Sequence, residues 1–274
     1  MTLRFQSLVY ATLYASLAGW GAQAMAQEQE AAPQLKMTGT IELGAASYDL
    51  TDGYAARHTS FVRAELKPDA DQRWTGEIAN ISEFGDTGTL LVLGYERTID
   101  RNWVVQAGAS SSDSGATLPR LRFDLALGHK WLENANLVTT LGITTIQAKD
   151  AHSDHAIQFS TAYYFDAVGW SWSVEGGVRN NTSNPGAVSA DAYYAAVTLA
   201  RPKVRTVSLR VGSGQEGYQL VGDNTALVNF SSDTLLLTWR EWFTARSGMQ
   251  WRWDRYRNPY YNSNGIEASW FLDF

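Results

Sequence analysis

Apolar and polar residues alternate with a period of two along most of the chain. Leu121 to Gly128, Val207 to Gly212 and Met249 to Asp254 carry large apolar residues at every second position, with small or charged residues between them. Because successive strand side chains point to opposite faces, each segment has one apolar and one polar face. No helical period occurs from Lys36 onward, so the pattern predicts an all-β protein.

The alternation and the turn residues between segments predict about fourteen strands, with twelve as the main alternative. The predicted strands lie near residues 36–50, 57–67, 72–83, 88–99, 103–111, 119–131, 136–149, 154–165, 169–180, 187–200, 204–213, 233–243, 247–257 and 264–274.

The predicted connections differ in length at the two ends of the strands. Those after even-numbered strands are short, and those after odd-numbered strands are longer and rich in Gly, Ser, Asn and Asp, the longest being Ser213 to Ser232. Outer-membrane barrels have short periplasmic turns and longer outer loops. The asymmetry therefore predicts a closed, antiparallel transmembrane β-barrel with both ends in the periplasm, where a soluble β-sandwich has no reason to show it.

The first residues have the features of an export signal. Arg4 supplies a positive charge, Ser7 to Gly21 is apolar, and Ala24-Met25-Ala26 offers a cleavage site. We expect a signal peptide over residues 1–26, a short periplasmic tail over 27–35 and the barrel over 36–274; the alternative is an uncleaved anchor helix. No later stretch reaches 18 uninterrupted apolar residues, which argues against membrane-spanning helices and leaves strands.

Charge and cysteine content narrow the classes of partner. The formal net charge of −6 argues against a nucleic-acid partner, which favours a basic face. The chain has no cysteine, so neither disulfides nor thiol chemistry are available.

Aromatic residues cluster near both ends of the predicted strands. Amphipathic rings concentrate at membrane interfaces, so two aromatic girdles are predicted. Beside the short turns lie Trp74, Trp103, Trp131, Trp170 and Trp242, and near the opposite rim lie Tyr48, Phe84, Tyr256, Tyr260 and Tyr261. The alternative is a soluble core with tryptophans at random depth.

The last strand carries apolar residues at every second position back from a terminal aromatic residue: Ile266, Ala268, Trp270, Leu272 and Phe274. This pattern resembles the closing strand recognised by the outer-membrane barrel-assembly machinery. That machinery, during insertion, and outer-membrane lipid are therefore expected partners.

The length, the export signal, the Val207-to-Gly222 stretch and the aromatic terminus together resemble the YaiO-type outer-membrane proteins. The resemblance covers most of the chain after the signal and implies a β-barrel in the outer membrane of a Gram-negative bacterium. It carries no catalytic signature. Some relatives are associated with surface polysaccharide export, so the resemblance implies polysaccharide as a candidate substrate.

If the apolar faces meet lipid, the charged residues of the opposite face line the lumen, because a charge facing hydrocarbon costs about 2–4 kcal/mol at mid-depth. About fourteen strands enclose a real cavity, and the 213–232 segment is a candidate to fold in and narrow it. Charges of both signs fit either a solute-selecting constriction or a structural filling of paired ions and water. The predicted lumen residues are Arg63, Glu65, Glu77, Arg122, Asp124, Glu175, Arg210, Arg240, Arg252 and Asp254.

The function predicted from these features is a passive channel or export conduit for small solutes or polysaccharide, with no cofactor and no metal. The alternatives are a structural or interaction barrel without an open pore and, least favoured, a hydrolase at the outer rim. Only His152, Ser153, Asp154 and His155 offer an acid–base or weak metal cluster there. No Gly-rich phosphate loop, nucleophile elbow or HExxH motif occurs, so no catalytic residue is assigned.

Overall fold

The computed structural model describes residues 37–149, 152–221 and 225–274. Within them the chain forms fourteen strands: β1 Thr38–Leu50, β2 Arg57–Lys67, β3 Gln72–Glu83, β4 Asp86–Thr98, β5 Trp103–Ser112, β6 Leu121–Trp131, β7 Leu137–Gln147, β8 Ser153–Ala167, β9 Trp170–Asn184, β10 Val188–Arg201, β11 Arg205–Val221, β12 Thr225–Trp242, β13 Ser247–Arg257 and β14 Asn262–Asp273. This part of the chain contains no helix long and apolar enough to cross a membrane. The predicted signal peptide and tail, residues 1–26 and 27–35, lie outside the described residues.

The fourteen strands form one closed antiparallel barrel in which each strand pairs with its sequence neighbours. The barrel closes where β14 pairs with β1, with Leu43 opposite Trp270 and Ala45 opposite Ala268. Closure gives every strand a partner on both sides, as a chain in hydrocarbon requires. The all-β transmembrane barrel and its count of fourteen strands are confirmed, and the alternative of twelve is excluded.

The outward face of the barrel is apolar over a band that matches a bilayer. On β14 the outward residues are Ile266, Trp270, Leu272 and the adjoining Phe274, each at least 39% exposed, with the small Ala268 between them. From Phe274 to Ile266 the strand rises about 27 Å at about 3.4 Å per residue. A tilt of about 40° reduces this to about 21 Å, close to the apolar band of about 25 Å in known barrels. The predicted assembly signal therefore lies on the lipid-facing side of the closing strand.

The predicted periplasmic turns are short. Val168 and Gly169, both with positive φ, form a two-residue turn between the paired residues Ala167 and Trp170. Positive φ at both central residues gives the turn the twist that a tight hairpin needs. The end of the barrel that carries these turns also carries residues 37 and 274, and we call it the periplasmic end.

The predicted loop from Ser213 to Ser232 is wrong, because β11 and β12 continue through it as paired strands. Gly214 pairs with Ser232, and the pairing runs out to Val221 and Thr225. Above the membrane, lipid imposes no strict alternation of apolar and polar residues. Residues 213–217 are small or polar, and residues 217–221 are buried on both faces, so the period of two is lost. For the same reason β9 extends to Asn184, where a loop was predicted from Asn180. We call residues 214–221 and 225–232 the outer hairpin.

A charge placed at mid-depth on the outward face should destabilise the barrel more than the same change in water. Leu125, the middle outward residue of β6, is 51% exposed, and Leu132 lies in a periplasmic turn and is 62% exposed. We expect Leu125→Arg to lower the free energy of unfolding by about 2–4 kcal/mol and Leu132→Arg by about 0–1 kcal/mol. Urea unfolding from lipid vesicles measures both. Equal losses would mean that this face does not meet hydrocarbon.

Candidate functional site in the barrel lumen

The outer hairpin bends over the outer mouth of the barrel and touches the rim formed by the outer ends of β7 to β10. Gly217 on β11 lies against Ser183 on β9, two strands away; a Cβ at position 217 would lie 2.6 Å from Oγ of Ser183. The Tyr218 hydroxyl donates a hydrogen bond to the Pro185 carbonyl at 3.0 Å. Its ring packs edge-on against His152, with centroids 5.1 Å apart. The hairpin therefore covers the mouth from β11 to the β7–β8 connection.

The other side of the outer hairpin packs on an aromatic cluster. Val221, Leu227 and Phe230 are buried against Phe84, Tyr256 and Tyr261. Gln219 donates a hydrogen bond to the Tyr261 hydroxyl. Burial also raises the pKa of Tyr261, so that it stays a neutral donor and acceptor.

The predicted outer aromatic girdle is largely wrong, because its rings point inward. Tyr48, Phe84, Tyr256 and Tyr261 are each at most 6% exposed. Tyr256 alternates with the outward-facing Trp253 on β13, so its side chain enters the lumen. Only Tyr260, at 45% exposed, faces out, with its ring edge-on to Phe230 at 5.7 Å.

The tryptophans at the periplasmic end lie mostly on the outward face. Trp74, Trp103 and Trp131 are 40–48% exposed. His129 lies between two of them, with ring centroids 4.4 Å from Trp103 and 4.1 Å from Trp131. Trp170 begins β9 on the outward-facing series.

Trp242, predicted for the same girdle, faces the lumen instead. Its indole N–H donates to the Asp273 carboxylate at 2.9 Å, and its ring packs on the buried Phe271 at 5.1 Å. On β12 it shares its parity with the inward Arg240, while the following residue, Phe243, is 60% exposed. Counting positions from the turn, without the register, placed it on the wrong face.

The central feature of the lumen is an ion-pair network on the wall formed by β1, β2, β3 and the last strands. Arg63 contacts Glu77 at 2.6 Å, Glu267 at 2.7 Å and Glu42 at 3.4 Å. Arg252 contacts Glu267 at 3.5 Å. Burying a charge costs desolvation free energy, and close ion pairs such as these are needed to offset that cost. We call these residues, with Arg240, the ion-pair wall.

Glu42 and Glu267 are the shared carboxylates of the ion-pair wall, and sequence reasoning missed both. Arg240 reaches Glu42 at 3.4 Å, and Ser269 donates to Glu42 at 2.7 Å. The two glutamates are only 7% and 2% exposed. The alternation that identified the arginines also places Glu42 and Glu267 inward on β1 and β14, so the signal was present.

The remaining predicted lumen charges also point inward, with partners of their own. Arg122 donates two hydrogen bonds of 2.7 Å to Asp124. Glu65 contacts Lys67 at 3.1 Å. Glu175 accepts a hydrogen bond from the Tyr194 hydroxyl, and Arg210 lies over the Tyr194 ring with its guanidinium carbon 3.6 Å from the centroid. Asp254 lines the space beneath the outer hairpin.

Three cavities lined by described residues of the lumen meet at Arg210. One of about 270 Å³ adjoins the ion-pair wall. A second of about 140 Å³ extends past Glu96 and Lys130. A third of about 200 Å³ lies beneath the outer hairpin and is lined by Arg179 and Glu216. Because Arg210 borders all three, a polar solute crossing the lumen would pass this side chain.

The fold does not bring together the candidate acid–base residues at the outer rim, His152, Asp154 and His155. His152 is buried beneath the outer hairpin, and burial lowers its pKa to about 4. Asp154 faces inward and accepts hydrogen bonds from Ser183 and Asn181. His155 faces outward, with Nδ1 3.3 Å from the Thr145 hydroxyl. Alternation on β8 separates these groups, and no cluster of three potential metal ligands occurs in the described ranges.

Sequence and structure comparisons agree on the class of protein. The profile of the YaiO membrane beta barrel domain family matches residues 38–219. No curated protein sequence matches the chain.

Three solved barrels are similar to this one in fold. The "Bacterial polysaccharide outer membrane secretin" has a TM-score of 0.52 and 8% identity, over 86% of this chain and 98% of that one. The Acinetobacter baumannii outer membrane protein Omp33 has a TM-score of 0.52 and 13% identity, over 86% and 99%. The "CymD monoaromatic hydrocarbon channel" has a TM-score of 0.53 and 8% identity, over 93% and 92%. With the family match, these likenesses place the protein in the Gram-negative outer membrane.

Removing one carboxylate from the ion-pair wall should destabilise the barrel. Glu267→Gln leaves Arg63 and Arg252 without their shared partner in a buried site, which should cost about 3–5 kcal/mol of unfolding free energy. Glu241→Gln is the control, because its partner Arg205 is 38% exposed and such a pair contributes about 0–1 kcal/mol. Urea unfolding measures both, and equal costs would contradict a structural role for the wall.

Acid should loosen the outer hairpin through His152. With a pKa near 4 when covered and near 6.5 when free, His152 takes up a proton on opening between these values. The contribution of His152 to the stability of the closed hairpin is therefore fully present above about pH 6.5. Below pH 6.5, amide protection in the hairpin should fall by up to roughly tenfold per pH unit. Hydrogen exchange of residues 216–221 and 225–230 measures this. His152→Gln should flatten the profile, and an unchanged slope in that variant would assign the effect to another group.

Proposed function

We propose that this chain, which belongs to the YaiO membrane β-barrel family, is a passive outer-membrane channel closed at its outer mouth by its own hairpin. The observation that carries this proposal is the combination of a polar, cavity-containing lumen with a cover formed by residues 214–221 and 225–232.

The lumen has the lining that a polar solute needs. Its cavities, of about 270, 140 and 200 Å³, each hold several waters at about 30 Å³ per molecule. Charges of both signs and hydroxyl groups surround them, so solute could exchange its hydration for wall contacts without an energy source. Diffusion through such a lumen requires no cofactor.

The cover can move without opening the barrel wall. The outer hairpin rises from Gly214 and Ser232, which lie above the apolar band, and the wall strands stay paired below that point. Its contacts with the rim are an aromatic cluster and a few side-chain hydrogen bonds. Displacing it would expose the third cavity to the outside while the β14–β1 pairing stays intact.

Two solved barrels of similar fold are described as a polysaccharide secretin and a hydrocarbon channel. Their identities to this chain are too low to transfer a substrate. They support the general class of conduit, and polysaccharide remains the substrate that the family resemblance suggests.

The second candidate function is a structural or interaction barrel without an open pore. The observation that favours it is the ion-pair wall, whose arginines and glutamates extend into the lumen beside the largest cavity. In that case the paired charges would fill the barrel, and removing the outer hairpin would open nothing.

Shortening the outer hairpin should convert the barrel into a steadily conducting pore. Replacing residues 216–230 with Asn-Gly joins the cross-strand partners Gln215 and Ser231 through a tight two-residue turn. In planar bilayers we expect intermittent openings from the full chain and steady nanosiemens-scale steps from the shortened one. A shortened barrel that folds but stays silent would support the structural barrel instead.

A disulfide that reversibly holds the outer hairpin closed provides the matched control for the same experiment. The chain has no cysteine, and a Cβ at position 217 would lie 3.2 Å from the Cβ of Ser183, a few tenths of an ångström short of disulfide geometry. The Gly217→Cys/Ser183→Cys barrel should be silent when oxidised and should recover openings with reductant. Ser183→Cys alone should not respond to reductant.

A further inference from the structure

Two arginines stand on the outward face of the barrel directly above the apolar band. Arg255 and Arg257 follow Trp251 and Trp253 on β13, and the two tryptophans are each 37% exposed on the same face. Trp253 pairs with Ile266, the last apolar residue of the band on β14. The arginines therefore lie at the level of the outer-leaflet headgroups.

Neither arginine has a partner within the described residues. Nε of Arg255 is buried with no hydrogen-bond partner, while Arg257 is exposed. Across β12 they face Leu235 and Asp233, and the Asp233 carboxylate makes no ion pair with Arg257 in this part of the chain. A partly covered guanidinium without a protein partner is costly unless something else accepts its hydrogen bonds.

The rest of the outer rim differs from this position. On the other strands of the described ranges no outward-facing Arg or Lys lies near the outer end, and the outward histidines His58 and His155 contact Ser47 and Thr145. Two cations in the rim connections are held by the chain: Arg120 donates to Gln147, and Lys149 donates to the Gly115 carbonyl. The unpaired cationic charge is thus concentrated at one place.

We propose that Arg255 and Arg257 bind a phosphate group of the phosphorylated glucosamine lipid, lipid A, that forms the outer leaflet. Guanidinium groups bind phosphate oxygens through two parallel hydrogen bonds. Residues two apart on a strand are separated by about 7 Å, so both arginines can reach one headgroup. Asn264 and Asn262 on β14 pair with them and offer amide donors to sugar hydroxyls. Below, Trp253 and Ile266 contact acyl chains.

The proposal does not depend on the channel. The lipid A site lies on the outward face of β13, whereas the proposed channel runs through the lumen on the inward face. Either proposal can therefore be wrong without affecting the other.

The test measures binding of purified bisphosphorylated lipid A to the folded full barrel in detergent by native mass spectrometry. Wild type should bind it about tenfold more tightly than dephosphorylated lipid A, and Arg255→Gln/Arg257→Gln should lose about tenfold. The matched control is Arg97→Gln/Arg201→Gln, two outward arginines near the periplasmic end of β4 and β10, which should change affinity by less than about twofold.

Competition separates the possible ligands. Phosphatidylglycerol that competes as well as lipid A, or inorganic phosphate that displaces it, would overturn the assignment to lipid A. So would a loss below about threefold in the double variant. If that variant does not fold, Arg255→Lys/Arg257→Lys keeps both charges but removes bidentate binding. It should lose about threefold or more, and full retention would overturn the proposal.

Discussion

The structure depends on one constraint: inside a bilayer, every backbone N–H and C=O must find a partner in the chain itself. The pairing of β14 with β1 satisfies it for the two strands that would otherwise be edges. Once the sheet is closed, its outer face meets lipid and its inner face meets the polar lumen. Apolar side chains must then point outward and charged side chains inward. Leu43 and Trp270 meet lipid on one side of the β1–β14 pair, while Glu42 and Phe271 point inward from their neighbouring positions.

The charged residues that face the lumen must form ion pairs with one another. Which residues pair cannot be predicted from the local sequence pattern. Alternation predicted that Arg63, Glu77 and Arg252 face inward, because the period of two is local. It did not predict that Arg63 meets Glu267, which lies 204 residues away, because that contact follows from barrel closure and register. The alternation on β14 places Glu267 inward as well, but it names no partner for this side chain. Which residues face the lumen is a local property, whereas which of them pair is a property of the whole barrel.

The wrong predictions all concern residues above or below the apolar band, where contact with lipid no longer determines which way a side chain points. Above the apolar band β11 loses the alternation of apolar and polar residues, because residues 217–221 are buried on both faces, so the pattern predicts a loop where the outer hairpin lies. Tyr256 and Tyr261 were predicted to face lipid because aromatic rings favour interfaces, but the hairpin gives them a buried protein surface instead. Below the band, Trp242 binds Asp273, so a hydrogen-bonding site in the lumen prevails over the interface preference of its ring.

The outer end of β13 carries residues of both proposed sites, the covered mouth and the lipid contact. Tyr256 points inward and donates a hydrogen bond to Glu216 of the outer hairpin at 2.7 Å. Its neighbours Arg255 and Arg257 point outward at headgroup level. Since a strand cannot shift by one residue without exchanging its faces, the register that holds Tyr256 under the hairpin also holds the arginines toward the leaflet. The register of this strand end therefore sets both the contact that holds the hairpin over the mouth and the position of the two arginines that we propose bind lipid.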